Sequence, residues 1–94
     1  MIVGVLKETK ADEYRVALRP VGAQLLVGDG HEVLVETGAG LGSGLPDDAY
    51  TEVGAQIVSS DAIYARAELI VKVKEPQPRE IQKLGVVFLH SHQI

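Results

Sequence analysis

The sequence has no cysteine, no tryptophan and no long hydrophobic run. Without cysteine, disulfides and thiol chemistry are excluded, and nothing indicates an oxidising compartment. The longest apolar runs are far shorter than the ~20 residues that cross a bilayer as a helix. The apolar start, residues 1–6, is also too short for the hydrophobic part of a signal peptide. We therefore expect a soluble cytoplasmic protein with no membrane partner.

Positive charge is scarce as well. The chain has nine Lys and Arg residues against 13 Asp and Glu residues, which gives a formal net charge of −4. The basic residues are scattered, so no patch indicates nucleic-acid binding. With 94 residues, 46% of them hydrophobic, the chain is expected to form one domain with a modest core. Because a small domain buries a smaller share of its surface than a large one, we expect a homo-oligomer or association with another chain.

Short apolar runs alternate with helical or turn-rich segments along the chain. Pro20 suits the first position of a helix, where its missing N–H needs no partner, and Val21, Leu25 and Leu26 are expected to point inward. The alternation predicts an α/β fold with a mostly parallel sheet and right-handed crossovers. Strands are predicted at 2–6, 32–36, 55–58, 69–73 and 86–89. Helices are predicted from Pro20 to near Gly28 or Gly30, from Asp47 or Asp48 through 53, from Ser59 or Ser60 through 67, and at 79–84, with one of the two aspartates and one of the two serines as N-caps.

Four segments that could carry chemistry follow predicted strands. They are the loop 7–15, the glycine loop 38–44, Lys74 and His90. In an open α/β sheet, ligands bind beyond the carboxyl ends of the strands. If the strands are parallel, these four segments lie at one edge of the sheet, although the strand order decides which of them are neighbours.

Arg15 precedes an apolar stretch, residues 16–18, which is expected to hold its stem against the domain. A fixed guanidinium is a planar two-pronged donor that matches a carboxylate. The alternative is a surface ion pair with Glu13 or Asp12.

Lys72 and Lys74 alternate with valines, so both side chains are expected on one face of a strand. A lysine at a strand end can polarise a substrate carbonyl, whereas an edge lysine can simply block unwanted strand pairing. We favour the second role for Lys72 and the first for Lys74, which lies close to Pro76.

His90 and His92 form an H-x-H pair. Two ligands are too few for a metal site and no acidic residue is a clear third, so no metal is expected. An imidazole at a strand end suits general acid–base chemistry, although an ordinary polar histidine fits the spacing equally. His31, in a predicted turn, is expected to be structural.

The glycine loop GAGLGSG does not match the G-x-G-x-x-G fingerprint of dinucleotide-binding proteins. Counted from Gly38 the sixth position is Ser43, and counted from Gly40 it is Leu45. We therefore expect these glycines to allow tight turns with positive φ, with an anion-binding nest as the alternative. No residue of the chain is assigned to cofactor binding.

Three stretches together resemble the N-terminal substrate domain of alanine dehydrogenases. They are VGVLKETKADEYRVALRP (residues 3–20), HEVLVETGAGLGSGLPDDAY (31–50) and VKVKEP (71–76). The α subunit of proton-translocating nicotinamide nucleotide transhydrogenase is similar but usually has an asparagine and no KEP at 74–76. Lysine-forming saccharopine dehydrogenases begin similarly and match the middle less well. The resemblance implies a Rossmann-like or flavodoxin-like three-layer domain.

The same resemblance implies roles for individual residues. Arg15 would bind the substrate carboxylate, Lys74 would hydrogen-bond pyruvate or L-alanine and take part in catalysis, and His90 would be the catalytic acid–base. Family members oxidise L-alanine to pyruvate and ammonia with NAD. The chain is several residues shorter than the family between Pro76 and Phe88 and reaches Ile94 without a nucleotide-binding unit. We therefore expect residues 1–94 to be a truncated substrate domain that is inactive alone. The first alternative is a non-catalytic binding or regulatory module or a truncated remnant, and the second is a domain of the transhydrogenase α subunit.

Overall fold

The computed structural model describes residues 1–8, 16–72 and 87–90. Within these ranges the longest helix has nine residues, and none is long and apolar enough to cross a membrane. The predicted strands agree with the observed ones to within one residue at each end, and the helix predicted at 79–84 lies outside the described residues. The elements are β1 (Ile2–Val5), α1 (Pro20–Gly28), β2 (Glu32–Glu36), a 3₁₀ turn (Leu41–Ser43), α2 (Asp47–Thr51), β3 (Gln56–Val58), α3 (Ser60–Arg66), β4 (Leu69–Lys72) and β5 (Val87–His90).

The strands form one five-stranded sheet in the order β3-β2-β1-β4-β5, and every pair is parallel. Val3 of the central strand β1 is in register with Val33 on one side and with Leu69 on the other. The chain thus adds strands outward from β1 on one side and then crosses to the other. This is the Rossmann strand order, which places a topological switch point between β1 and β4. The predicted parallel α/β fold is confirmed.

The sheet is covered on both faces. Because side chains alternate along a strand, Val33 and Val35 point to the face that carries α1 and α2, and Leu34 points to the face that carries α3. All three side chains are essentially inaccessible to solvent. Ile63 of α3 fills the second face together with Ile70 of β4. The result is the expected three-layer domain, with its core on both sides of β1 and β2.

Helix α1 begins at Pro20 as predicted, but it turns a different face to the sheet. Val21 and Leu25 are 66% and 68% exposed, so the prediction that they point inward is wrong, whereas the inward position predicted for Leu26 is confirmed. The inward stripe consists of Ala23, which is fully buried, with Leu26 and Val27 packed against the core. These residues follow the i, i+3, i+4 spacing of one helix face. The small side chain of Ala23 lets the helix approach the strands closely.

The starts of the other helices show one confirmed cap and one correction. Ser59 caps α3 as predicted, because its hydroxyl oxygen accepts a hydrogen bond from the N–H of Ala62 at 3.2 Å. Asp47 does not cap α2: it is the first helical residue, after Pro46 at the cap position. Its carboxylate is instead engaged with the glycine loop that precedes the helix.

Candidate functional site

The carboxyl edge of the sheet brings together the ends of β1, β4 and β5. Lys72 and His90 are the last residues of β4 and β5 and are in register with each other. Beside them is the switch point between β1 and β4, where open α/β sheets form their ligand crevice. Arg15 and Lys74 themselves lie outside the described residues. Along the chain, Arg15 belongs to the loop that leaves β1, and Lys74 comes two positions after the end of β4.

His90 is the last residue of β5 rather than the first residue after it. Its backbone therefore lies at the carboxyl edge, as expected, and its catalytic role stays a prediction. His92 is outside the described residues. In the part of the chain that the structure describes, no group of three or more His, Cys, Asp or Glu residues is arranged to hold a metal ion.

The loop after β1 is tied to β2 at its start. The backbone N–H of Lys7 donates to Oε1 of Glu36 at 2.8 Å. Val5 and Val35 are the last register pair of these two strands. The carboxylate of Glu36 therefore binds the β1 loop just beyond the end of the backbone pairing. Glu36 is not among the residues expected from the sequence to belong to the site. The feature that identifies it is an acidic residue at the carboxyl end of an otherwise apolar strand.

The loop is also tied at its other end. Val16, the residue after Arg15, is buried in the core, and the hydroxyl of Tyr50 donates to the carbonyl oxygen of Leu18 at 2.7 Å. Tyr50 has no exposed surface. Burial raises the pKa of Tyr50 above its ordinary value of 10.0, and the positive charge of Arg19 partly opposes that rise. The role of Tyr50 is not evident from the sequence, because its hydrogen-bond partner Leu18 is 32 positions away.

The glycine loop after β2 is closed by an acidic side chain of the chain itself. Gly38 and Gly44 have φ values of 80° and 76°, as predicted for tight turns, whereas Gly40 has a φ of −95° and does not need to be glycine on that ground. The N–H of Gly38 donates to Oδ1 of Asp47 at 2.9 Å. The backbone donor that an external anion would need at Gly38 is thus already used, which disfavours the anion-nest alternative.

Further polar contacts of the described residues lie at the opposite, amino edge of the sheet. Glu32, the first residue of β2, accepts a hydrogen bond from Gln56 at 3.0 Å and forms an ion pair with Arg66. His31 contacts the amino group of Met1 at 3.3 Å, in agreement with its expected structural role. These contacts join strands and helices at the edge remote from the crevice. The charged side chains at this edge therefore connect elements of the fold.

Comparison with known proteins agrees with this geometry. Residues 4–93 match the family described as "Alanine dehydrogenase/PNT, N-terminal domain". Alanine dehydrogenase of Bacillus subtilis (strain 168) is 50% identical over 95 residues, which cover 98% of this chain and 25% of that protein. A solved L-alanine dehydrogenase superposes with a TM-score of 0.84 at 46% identity, over 89% of this chain and 23% of the other.

A solved transhydrogenase from Sinorhizobium meliloti superposes with a TM-score of 0.87 at 37% identity, over 94% of this chain and 27% of the other. The chain spans about a quarter of the length of each of these relatives. The family match, the sequence identity and the shared fold agree, and the chain therefore belongs to the alanine dehydrogenase/PNT N-terminal domain family.

Proposed function

We propose that this chain is the substrate-binding domain of an NAD-dependent L-alanine dehydrogenase and that it binds pyruvate and L-alanine beside the switch point. The observation that carries the proposal is the strand order: β1 and β4 are neighbours, and the segments with Arg15 and Lys74 leave their carboxyl ends. The identity to alanine dehydrogenases supports the choice of substrate.

In this proposal each residue has a role that suits its chemistry. The guanidinium of Arg15 pairs with the substrate carboxylate through two parallel hydrogen bonds. The ammonium of Lys74 donates to the carbonyl oxygen of pyruvate and makes its carbon more electrophilic. His90, at the end of the strand next to β4, moves protons at the carbinolamine and imine steps.

The described residues do not fit NAD. The N–H of Gly38 in the glycine loop is taken by Asp47, whose own negative charge repels a pyrophosphate. The full sequence also lacks the G-x-G-x-x-G spacing. We infer that the nicotinamide is held by residues outside this chain. The isolated chain then binds the acid without turning it over, because hydride transfer needs both reactants held in contact.

Titration of the isotope-labelled chain with pyruvate, followed by NMR, tests the proposal. Saturable shifts are expected at Lys7, Arg15 and Lys74. Arg15→Met and Lys74→Met should each weaken binding by roughly 10- to 100-fold, the usual range for a hydrogen bond to a charged group. Arg66→Met is the matched control, since it removes a charge at the amino edge. No shift at millimolar pyruvate, or equal loss in the control, contradicts the proposal.

Two other functions are separated by a complementation assay. The similarity to the Sinorhizobium meliloti protein favours a transhydrogenase α subunit as the second candidate. NADH formation from L-alanine, after mixing with the separately expressed nucleotide-binding region of an alanine dehydrogenase, supports the proposal. Pyruvate binding without complementation supports a binding or regulatory module. Binding of neither acid favours the transhydrogenase subunit.

A further inference from the structure

Tyr50 is a buried polar residue to which the proposed chemistry gives no role. It lies in α2, yet its hydroxyl reaches the carbonyl oxygen of Leu18 at 2.7 Å, in the segment that joins the β1 loop to α1. Among the described residues no backbone N–H donates to that carbonyl. Leu18 comes only three positions after Arg15 in the sequence. Tyr50 thus holds the chain immediately beyond the residue proposed to bind the carboxylate.

The hydroxyl of Tyr50 is held in place by its surroundings. A Cβ added to Gly40 would lie 3.0 Å from Cε2 of the ring, so the glycine loop packs directly against it. The backbone carbonyl of Tyr50 accepts a hydrogen bond from Ala55 at 3.1 Å, which ties the end of α2 to the start of β3. The loop itself is closed by Asp47. Since a tyrosine side chain has only two torsions and this ring is enclosed, its oxygen occupies one position.

We propose that Tyr50 is a positioning residue for binding of the substrate carboxylate, because its hydrogen bond to Leu18 fixes the end of the segment that carries Arg15. The inference rests on the proposed function, in which Arg15 binds that carboxylate. Two-pronged pairing of a guanidinium with a carboxylate is directional, so a small displacement of the Arg15 backbone weakens it. Val16 anchors the same segment by burial, and the Tyr50 hydroxyl adds a fixed point that burial alone does not supply.

Three variants separate positioning from general stability. Tyr50→Phe removes only the hydroxyl, Tyr64→Phe removes a hydroxyl on the opposite face of the sheet, and Ile63→Val loosens the core on that opposite face. Pyruvate affinity is measured by NMR titration at a temperature where all variants are folded. Tyr50→Phe should weaken binding about tenfold. The two controls should stay within about twofold, because they belong to the core on the face of the sheet opposite to Tyr50.

A double-variant cycle tests whether Tyr50 acts through Arg15. In an Arg15→Met background, Tyr50→Phe should have no further effect on pyruvate affinity, since the group it positions is absent. Pyruvate binding by the unaltered chain together with unchanged affinity in Tyr50→Phe overturns the positioning role alone. Absence of binding by the unaltered chain overturns the proposed function and this inference with it. If Tyr50→Phe does not fold in buffer, the titration is repeated in trimethylamine N-oxide, which strengthens effective burial.

Discussion

Glu36 holds the backbone N–H of Lys7 at 2.8 Å, so the last side chain of β2 fixes the first turn of the loop that leaves β1. Tyr50 holds Leu18 beyond the other end of that loop. Both ties come from the segment that runs from β2 through α2, and the glycine loop lies between them. The two residues that flank the glycine loop in the sequence thus hold the two ends of the neighbouring β1 loop.

Removing the Glu36 carboxylate should release the start of the β1 loop. Glu36→Met keeps the length of the side chain and loses the acceptor, so the free energy of unfolding should fall by about 0.5–1.5 kcal/mol. Urea unfolding measures the loss. Amide hydrogen exchange should show lost protection at Lys7 with protection retained at Val5.

Glu36→Gln is the matched control for that change. Its amide oxygen still accepts the N–H of Lys7, but a neutral acceptor forms a weaker bond than a carboxylate. Stability should therefore fall in the order Glu36, Glu36→Gln, Glu36→Met. Equal stability of all three forms would show that the hydrogen bond does not hold the loop.

Gly4 lies where α3 approaches β1 most closely. A Cβ at Gly4 would lie 2.5 Å from Cγ2 of Ile63 and 2.9 Å from Cβ of Ala67. Gly4→Ala should therefore lower the free energy of unfolding by about 1–3 kcal/mol, the usual cost of overpacking a core. Gly28→Ala is the control: it meets nothing within 4 Å and lies in α1, so it should be neutral or stabilise by up to about 1 kcal/mol. Urea unfolding of both variants measures the difference.

Truncation of two neighbouring leucines of α1 should lower stability by very different amounts. Leu25 is 68% exposed, so Leu25→Ala should change stability by no more than about 0.5 kcal/mol. Leu26 packs against the core, and Leu26→Ala should cost about 2 kcal/mol. Thermal and urea unfolding of the pair check the observed orientation of the helix. A loss at Leu25 as large as that at Leu26 would support the orientation expected from the sequence, in which both side chains point inward.

The sequence predicted the strands well because buried parallel strands are short, continuous apolar runs that periodicity identifies. It predicted the orientation of α1 only in part: Leu26 packs inward as expected, but Val21 and Leu25, which form a separate apolar stripe, do not. The choice between the stripes is made by the fit of the small Ala23 against the sheet, which is a tertiary effect.

The candidate site was predictable in part for a related reason. Alternating strands and helices indicate parallel strands, whose carboxyl ends share an edge, so the placement of His90 at that edge followed from sequence. Which strands are neighbours depends on the strand order, which no local pattern contains. The ties made by Glu36 and Tyr50 join residues 29 and 32 positions apart, and without the sheet neither pair is close.

Tyr50 should make the stability of the fold depend on alkaline pH. Burial raises its pKa in the folded state above 10.0, with the charge of Arg19 acting in the opposite direction. Above pH 10.0 the unfolded chain releases the phenolic proton while the folded chain retains it, so the free energy of the unfolded state falls relative to that of the folded one. The stability supplied by this group is complete below pH 10.0 and is lost as the pH rises towards the folded-state pKa.

Urea unfolding across this alkaline range, compared between the unaltered chain and Tyr50→Phe, isolates the contribution of Tyr50 from that of the lysines, because the lysines titrate in both. The unaltered chain should lose more stability than Tyr50→Phe as the pH rises above 10.0. Parallel curves for the unaltered chain and Tyr50→Phe would mean that the phenol does not titrate differently in the two states, and that its hydroxyl is not held in the core as a neutral donor to Leu18.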